Sequence, residues 1–187
     1  MTRRIRPLPP GVELHEPRPE DAPAWASFLV EAQLATYAGQ LPEHFAAAGL
    51  AQANVVGLAR AFGDPAHRDA VRRIAWAGEH IVGIAATSAA PAGWEVELGL
   101  VPPPAERELD RLYVHESMHG TGLGAALFDA VVDERAHYLW LIDGNARAGA
   151  FYERRGFRHL EEQVETGPTW GNIPMHRMVR PERSPKG

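Results

Sequence analysis

Hydrophobic positions change period several times along this chain, and each change predicts an element. Val12 and Leu14 alternate with polar neighbours and, with His15, predict a short opening strand. Arg18-Pro19-Glu20-Asp21 then supplies a turn and a helix start, and Trp25, Phe28, Leu29 and Ala32 recur at helical spacing, predicting a helix over 22–37. A second helix is expected over 42–62, with breaks at Gly49 and Gly57. From Arg73 the stretch RIAWAGEHIVGIAAT reads as two strands, and Gly78-Glu79 between them predicts a hairpin.

Beyond a Pro- and Gly-rich loop, residues 108–114 (ELDRLYV) predict a strand and 125–136 a helix with Ala126, Leu127, Ala130 and Val131 facing inward. YLWLI over 138–142 has the aromatic and branched content of a buried strand, and 146–155 predicts a short helix ended by Gly156. Closing strands are expected over 158–164 and 174–179. The order predicts an α/β protein with a central mixed sheet flanked by helices and one parallel crossover between residues 108 and 142.

Length and composition narrow the classes. With 187 residues, 45% of them hydrophobic, a single domain over 11–180 is expected, between loosely held ends at 1–10 and 181–187. There is no cysteine, which removes disulfides, thiolate metal sites and a cysteine nucleophile. All but one of the 19 basic residues are arginine, the exception being Lys186, so neither a Walker lysine nor a core Schiff-base lysine has a candidate. A net charge of -5 argues against a dedicated nucleic-acid partner. No apolar run approaches a membrane span and the basic start lacks an apolar stretch, so the expectation is no membrane partner and a cytoplasmic location.

Candidate chemistry concentrates in HESMHGTGLGA, residues 115–125, which fits two unrelated patterns. His115, Glu116 and His119 spell H-E-x-x-H, which binds zinc only where a continuous helix aligns both imidazoles. The extended pattern reaches Gly122 but meets Ala125 where a third histidine belongs, so no metal is expected. Gly120, Gly122 and Gly124 form instead a loop whose amides can face an anion ahead of a helix N-terminus. Gly120 to Ala125 also satisfies G-x-G-x-x-A, with Asp143 after the next strand as a dinucleotide-binding acid would be. Five residues separate that loop from its strand, however, and too few remain after Asp143 to complete a dinucleotide fold.

Three segments resemble the GNAT superfamily of acyl-CoA-dependent N-acyltransferases. LDRLYVHESMHGTGLGAALF is similar to the family's strand, pyrophosphate loop and helix, with His119 standing where the family usually carries Gln or Arg and with Gly122 and Gly124 in place. LWLIDGNARAGAFYERRGF resembles the strand and helix that follow, through Asn145, Ala150, Phe151, Tyr152, Gly156 and Phe157; IPMHRMVR resembles the last strand. The resemblance implies strands that splay near 108–114 and 138–142, with pantetheine pairing to Leu112 and Val114 in the gap. It implies acetyl-CoA as acyl donor, held by Leu112, Val114, His119, Gly120, Thr121, Gly122, Gly124, Asn145 and Tyr152. Arg147, Arg154 and Arg155 are candidates for its 3'-phosphate or for solvated roles.

By the same resemblance Tyr152 is the general acid for the departing thiolate and Glu108 the base, with Asp110 or water as alternatives. The acceptor is expected to be an amine of a small molecule or peptide, met by side chains such as Trp25, Tyr37, Phe45 and Trp170. A homodimer is compatible with the fold. A noncatalytic acyl-CoA-binding sensor on the same fold is the first competing function, and a zinc hydrolase through the H-E-x-x-H letters the second.

Overall fold

The computed structural model describes residues 6–64 and 69–182, so the expectations for the outermost residues, Lys186 among them, lie outside it. The chain divides into two compact units, one formed by residues 1–86 with 111–131 and the other by 87–110 with 132–187. Strands β3 (His80–Ala89) and β4 (Arg107–Val114) contribute to both.

In the first unit the strand order is β1-β2-β3-β4. Strand β1 (Val12–His15) pairs antiparallel with β2 (Val71–Ala77), Leu14 opposite Ala75. Asp21 accepts a 2.7 Å hydrogen bond from the Arg18 amide, closing the turn from which α1 (Ala22–Thr36) starts. Trp25 and Phe28 of α1 are buried against Ile74, Ile84 and Ala86, with Leu29, Ala32, Leu58 and Phe62 packed around them. Trp25 meets the Phe62 ring edge-on at 5.3 Å.

The single helix expected over 42–62 is two, α2 (Phe45–Gly49) and α3 (Gln52–Gly63). The break falls at the first glycine only. A Cβ on Gly49 would lie 2.5 Å from Val30 Cγ2, so α2 can rest on α1 there only as glycine, and Asn54 Nδ2 donates 2.6 Å to the Ala48 carbonyl across the break. Gly57 meets no such neighbour and stays inside α3.

Helix α5 (Leu123–Val131) packs on β2, and Gly83 admits it: a Cβ there would stand 2.7 Å from Leu127 Cδ1. The helix begins two residues before the expected start and ends well short of 136. Beyond it Asp133 takes the Arg135 amide at 3.0 Å and the Arg135 Nε at 2.8 Å, while the Arg180 guanidinium donates to the carbonyls of Asp133 and Arg135. These side-chain bonds satisfy groups that a longer helix would have used, and a turn results.

In the second unit the order is β3-β4-β5-β8-β6, with β7 also on β8. Strand β5 (His137–Ile142) is nearly all buried and pairs antiparallel with β8 (Pro174–Arg180) along its whole length. The strand expected over 158–164 is two short ones, β6 (Arg158–His159) and β7 (Val164–Glu165). Between them Glu162 turns to grip Arg177 with both carboxylate oxygens and Gln163 reaches Asp143, drawing the chain away from β8. The Pro- and Gly-rich loop holds an unexpected helix, α4 (Gly93–Glu97), and α6 (Ala146–Glu153) follows β5.

Candidate functional site

The glycine loop lies in the first unit, between β4 and α5. His115 caps a single 3-10 turn over Glu116–Met118 by accepting the Ser117 amide at Nδ1, and both His115 and His119 have extended backbone. The H-E-x-x-H letters therefore do not share a helix, and the geometry for two imidazoles on one face is missing. His119 folds back, its Nε2 3.2 Å from the Val114 carbonyl.

Gly120 and Gly122 have φ of +79° and +92°, in the left-handed region that L side chains rarely adopt, and the space where their Cβ atoms would stand is open. Thr121 braces the turn, its hydroxyl donating 2.8 Å to the Met118 carbonyl and accepting the Leu123 amide at 3.4 Å. The Gly122 carbonyl accepts the first helical bond, from the Ala126 amide at 3.0 Å, so the Gly124 and Ala125 amides stand in the first turn of α5 without intrahelical acceptors. Exposed glycines, free-standing first-turn amides and the positive end of a nine-residue helix together suit an anion. Leu112 and Val114, on the strand leading in, are half-buried.

In the second unit, the parallel ladder between β4 and β5 contains two residue pairs, Arg107 with His137 and Glu108 with Tyr138, and ends there. Strand β5 continues with β8 for four more residues, but Leu109 and Asp110 have no register partner on β5. Glu108 is buried opposite Tyr138, and Asp110 accepts the Ser88 hydroxyl at 3.2 Å.

Helix α6 begins at Asn145, whose side-chain oxygen accepts the Ala148 amide at 3.1 Å, so its carbonyl is engaged in capping. Tyr152 is buried on this helix between the rings of Phe151 and Phe157, at 5.3 and 5.7 Å. Arg155 lies over the Phe151 ring at 3.4 Å and donates to the Phe151 carbonyl, whereas Arg147 and Arg154 are exposed. Of the aromatic candidates for the acceptor, Trp25, Tyr37 and Phe45 are buried and Trp170 half-buried.

Sequence patterns did not disclose Glu95. This α4 residue has no exposed surface, yet its carboxylate accepts the Tyr138 hydroxyl at 2.6 Å, the Trp140 indole at 3.0 Å and the Ala92 amide at 2.8 Å. Arg177 stands 3.9 Å away and shares itself with Glu162, whose hydrogen bonds raise its pKa further. Burial first, then the Glu95 bond and the charges of Glu108 and Glu95, push the Tyr138 hydroxyl far above its ordinary pKa and keep it protonated. The one signal was Glu95 three residues after Ala92, at the position where a carboxylate can reach back to a helix start.

A mixed sheet whose parallel strands part after two pairs, with a glycine loop opening the next helix, is the arrangement of an acyl-CoA N-acyltransferase fold. Residues 71–159 match the acetyltransferase (GNAT) domain, so this stretch of the chain carries a GNAT acetyltransferase domain. The fold is similar to that of the PaiA N-acetyltransferase from Thermoplasma acidophilum in complex with coenzyme A, with a TM-score of 0.60 at 16% identity over 91% of this chain and 98% of that one. It is also similar to the ribosomal-protein-S18-alanine N-acetyltransferase from Escherichia coli, with a TM-score of 0.56 at 17% identity over 94% and 96%. An acetyltransferase from Thermus thermophilus gives 0.55 at 22% identity over 91% and 96%. No curated protein matches the chain.

Proposed function

We propose that this protein is an N-acetyltransferase that moves the acetyl group of acetyl-CoA to a primary amine of a small molecule or peptide by direct attack. The observation that carries this is the loop at 119–124, where two glycines of positive φ leave open space beside amides in the first turn of α5. An L side chain at either position would fill the cradle a diphosphate needs, so the residues present fit coenzyme A. Gly120, Thr121, Gly122, Gly124 and the main chain at His119 would hold its diphosphate. Main-chain groups of Leu112 and Val114 would pair with pantetheine as an added strand does. Asn145 would serve the cofactor through the part of its side chain not used in capping. When bound, acetyl-CoA supplies an activated thioester carbonyl.

The remaining chemistry belongs to this chain. An ammonium must lose a proton before its nitrogen can attack, and Glu108, a buried carboxylate, is the proposed acceptor, with Asp110 or water as its alternatives. Tyr152 donates the proton that the departing sulfur needs; a phenol does so without carrying charge beforehand. No cysteine is present to form a thioester with the enzyme, which favours transfer in one step.

The experiment is to mix the full chain with acetyl-CoA and a panel of small amines and peptide N-termini and to follow free thiol release. Amine-dependent release supports the proposal. Saturable acetyl-CoA binding with no release across the panel would instead establish a noncatalytic acyl-CoA sensor, and absence of binding would remove both.

A further inference from the structure

We propose that Trp94, Val96, Leu98 and Val101 form a docking strip for the acceptor, and that the acceptor is a polypeptide with apolar and basic residues beside its reacting amine; this rests on the acetyltransferase function above. The four side chains are 36%, 55%, 60% and 47% exposed. Leu34 and Leu50, the other large apolar side chains so exposed among the described residues, lie in the other unit. Single exposed apolar side chains are ordinary, but a run of them marks a contact surface.

The fold holds this strip outward. A short helix laid on a sheet merely to cover it would turn Val96 or Leu98 inward and leave Glu95 in water. Helix α4 does the reverse: Glu95 has no exposed surface, and its carboxylate is fastened by the Tyr138 hydroxyl, the Trp140 indole and the Ala92 amide. The far end is fastened as well, since the Leu100 amide donates 2.8 Å to the Glu95 carbonyl and the Leu100 carbonyl accepts Arg177 Nη1 at 3.3 Å. At the base of the loop the Ala90 amide donates 3.0 Å to the Glu106 carbonyl. Turning the apolar residues inward would leave the donors around Glu95 unmade, so the strip stays presented to solvent.

The strip continues the face that carries the proposed base. The Trp94 ring lies 5.2 Å from that of Trp140. Trp140 and Tyr138, two residues apart on β5, point to one side of the sheet and share the Glu95 carboxylate. Tyr138 is the register partner of Glu108, whose charge acts on the Tyr138 hydroxyl. One strand spacing, two residues of strand and one ring contact thus separate Glu108 from Trp94, on the order of 15 Å. An extended chain covers that in about five residues, and Leu98 and Val101 lie farther along. A small amine at Glu108 does not reach the strip, whereas a polypeptide does.

Charge selects the occupant. Glu97, within the strip, and Glu106, at the end of its loop, are exposed, and the sequence from 90 to 106 contains no basic residue. Arg177, which touches this segment, is buried and bound by Glu162. A second copy would bring another Glu97 and its own net charge of -5 to the contact, whereas a basic segment brings the opposite sign.

The test uses the full chain with acetyl-CoA, as wild type, Val96→Ser/Leu98→Ser and Glu97→Lys; all three positions are exposed, and urea unfolding checks that each variant is folded. The acceptors are small amines, two-residue peptides, and peptides of about eight residues whose flank beside the amine is apolar and basic, apolar and acidic, or polar and neutral. The apolar and basic peptides are expected to exceed the two-residue ones at least about tenfold in kcat/KM, through KM. Val96→Ser/Leu98→Ser is expected to lower their kcat/KM by about tenfold while leaving the two-residue peptides unchanged, and Glu97→Lys to favour the acidic flank over the basic one. Equal rates for long and short acceptors, an unaltered KM for long peptides in the strip variant, an equal loss on both, or a flank preference indifferent to Glu97→Lys would overturn the proposal. So would a wild-type dimer that the strip variant turns into monomers, which would seat a second copy there. Turnover of small amines alone sinks the docking strip and leaves the acetyltransferase function standing; a wild type that acetylates nothing sinks both.

Discussion

The Tyr138 hydroxyl donates a 2.6 Å hydrogen bond to the carboxylate of Glu95, and neither side chain has any exposed surface. A buried carboxylate is tolerated only where its lone pairs are used, and here tyrosine, indole and main-chain donors use them. That contact pins the short helix α4 to β5 and covers the sheet beside Glu108.

Removing the carboxylate leaves two side-chain donors without an acceptor, the buried Tyr138 hydroxyl and the half-buried Trp140 indole. Glu95→Ala is expected to destabilise the protein by about 2–5 kcal/mol, at roughly 1–3 kcal/mol for each donor left unmade. Glu95→Gln, which keeps one carbonyl acceptor, is expected to lose less. Urea unfolding of both variants measures this, and equal losses would show that the hydrogen bonds are not the cause.

His137 makes stability depend on pH. Burial first, then the charges of Arg180 and Arg107, lower its pKa from 6.5 to about 4, against the opposing pull of the Arg135 carbonyl and Asp133. The unfolded chain takes up a proton near pH 6.5 while the folded protein refuses it until about pH 4. Stability is therefore full above 6.5 and falls as pH drops through that window. In His137→Gln, the urea midpoint is expected to fall less between about pH 7 and about pH 4.5 than in the wild type.

Gly122 is open to solvent, so a Cβ there meets no protein atom within 4 Å, but the residue must adopt φ of +92°. Gly122→Val is expected to strain the loop by about 1–3 kcal/mol and to weaken coenzyme A binding by at least about tenfold while the protein stays folded. Calorimetric titration with coenzyme A reads the affinity directly; unchanged binding in the folded variant would place the diphosphate elsewhere.

Tyr152→Phe keeps the ring between Phe151 and Phe157 and removes only the hydroxyl. The expected result is a fall in kcat of about 100-fold with little change in acetyl-CoA affinity, the signature of a group that acts on the leaving sulfur. Steady-state rates over a range of acetyl-CoA concentrations separate the two quantities.

Periodicity by itself determined most of the frame: the opening strand, the helix carrying Trp25 and Phe28, the hairpin at Gly78, and the strands holding Leu109 and Leu139. These are local decisions, since a two-residue or 3.6-residue repeat leaves only one way to bury an apolar face. The glycine loop was legible for the same reason, because positive φ is a property of the single residue. Tertiary structure decided the rest. Whether α5 ran past Val131 depended on Arg180, far along the chain, and whether 158–164 stayed one strand depended on Arg177 drawing Glu162 aside. The burial of Glu95 has no pattern in the letters around it. Its chemistry exists only because partners distant in the chain, Tyr138 and Trp140, are brought within hydrogen-bond reach by the sheet.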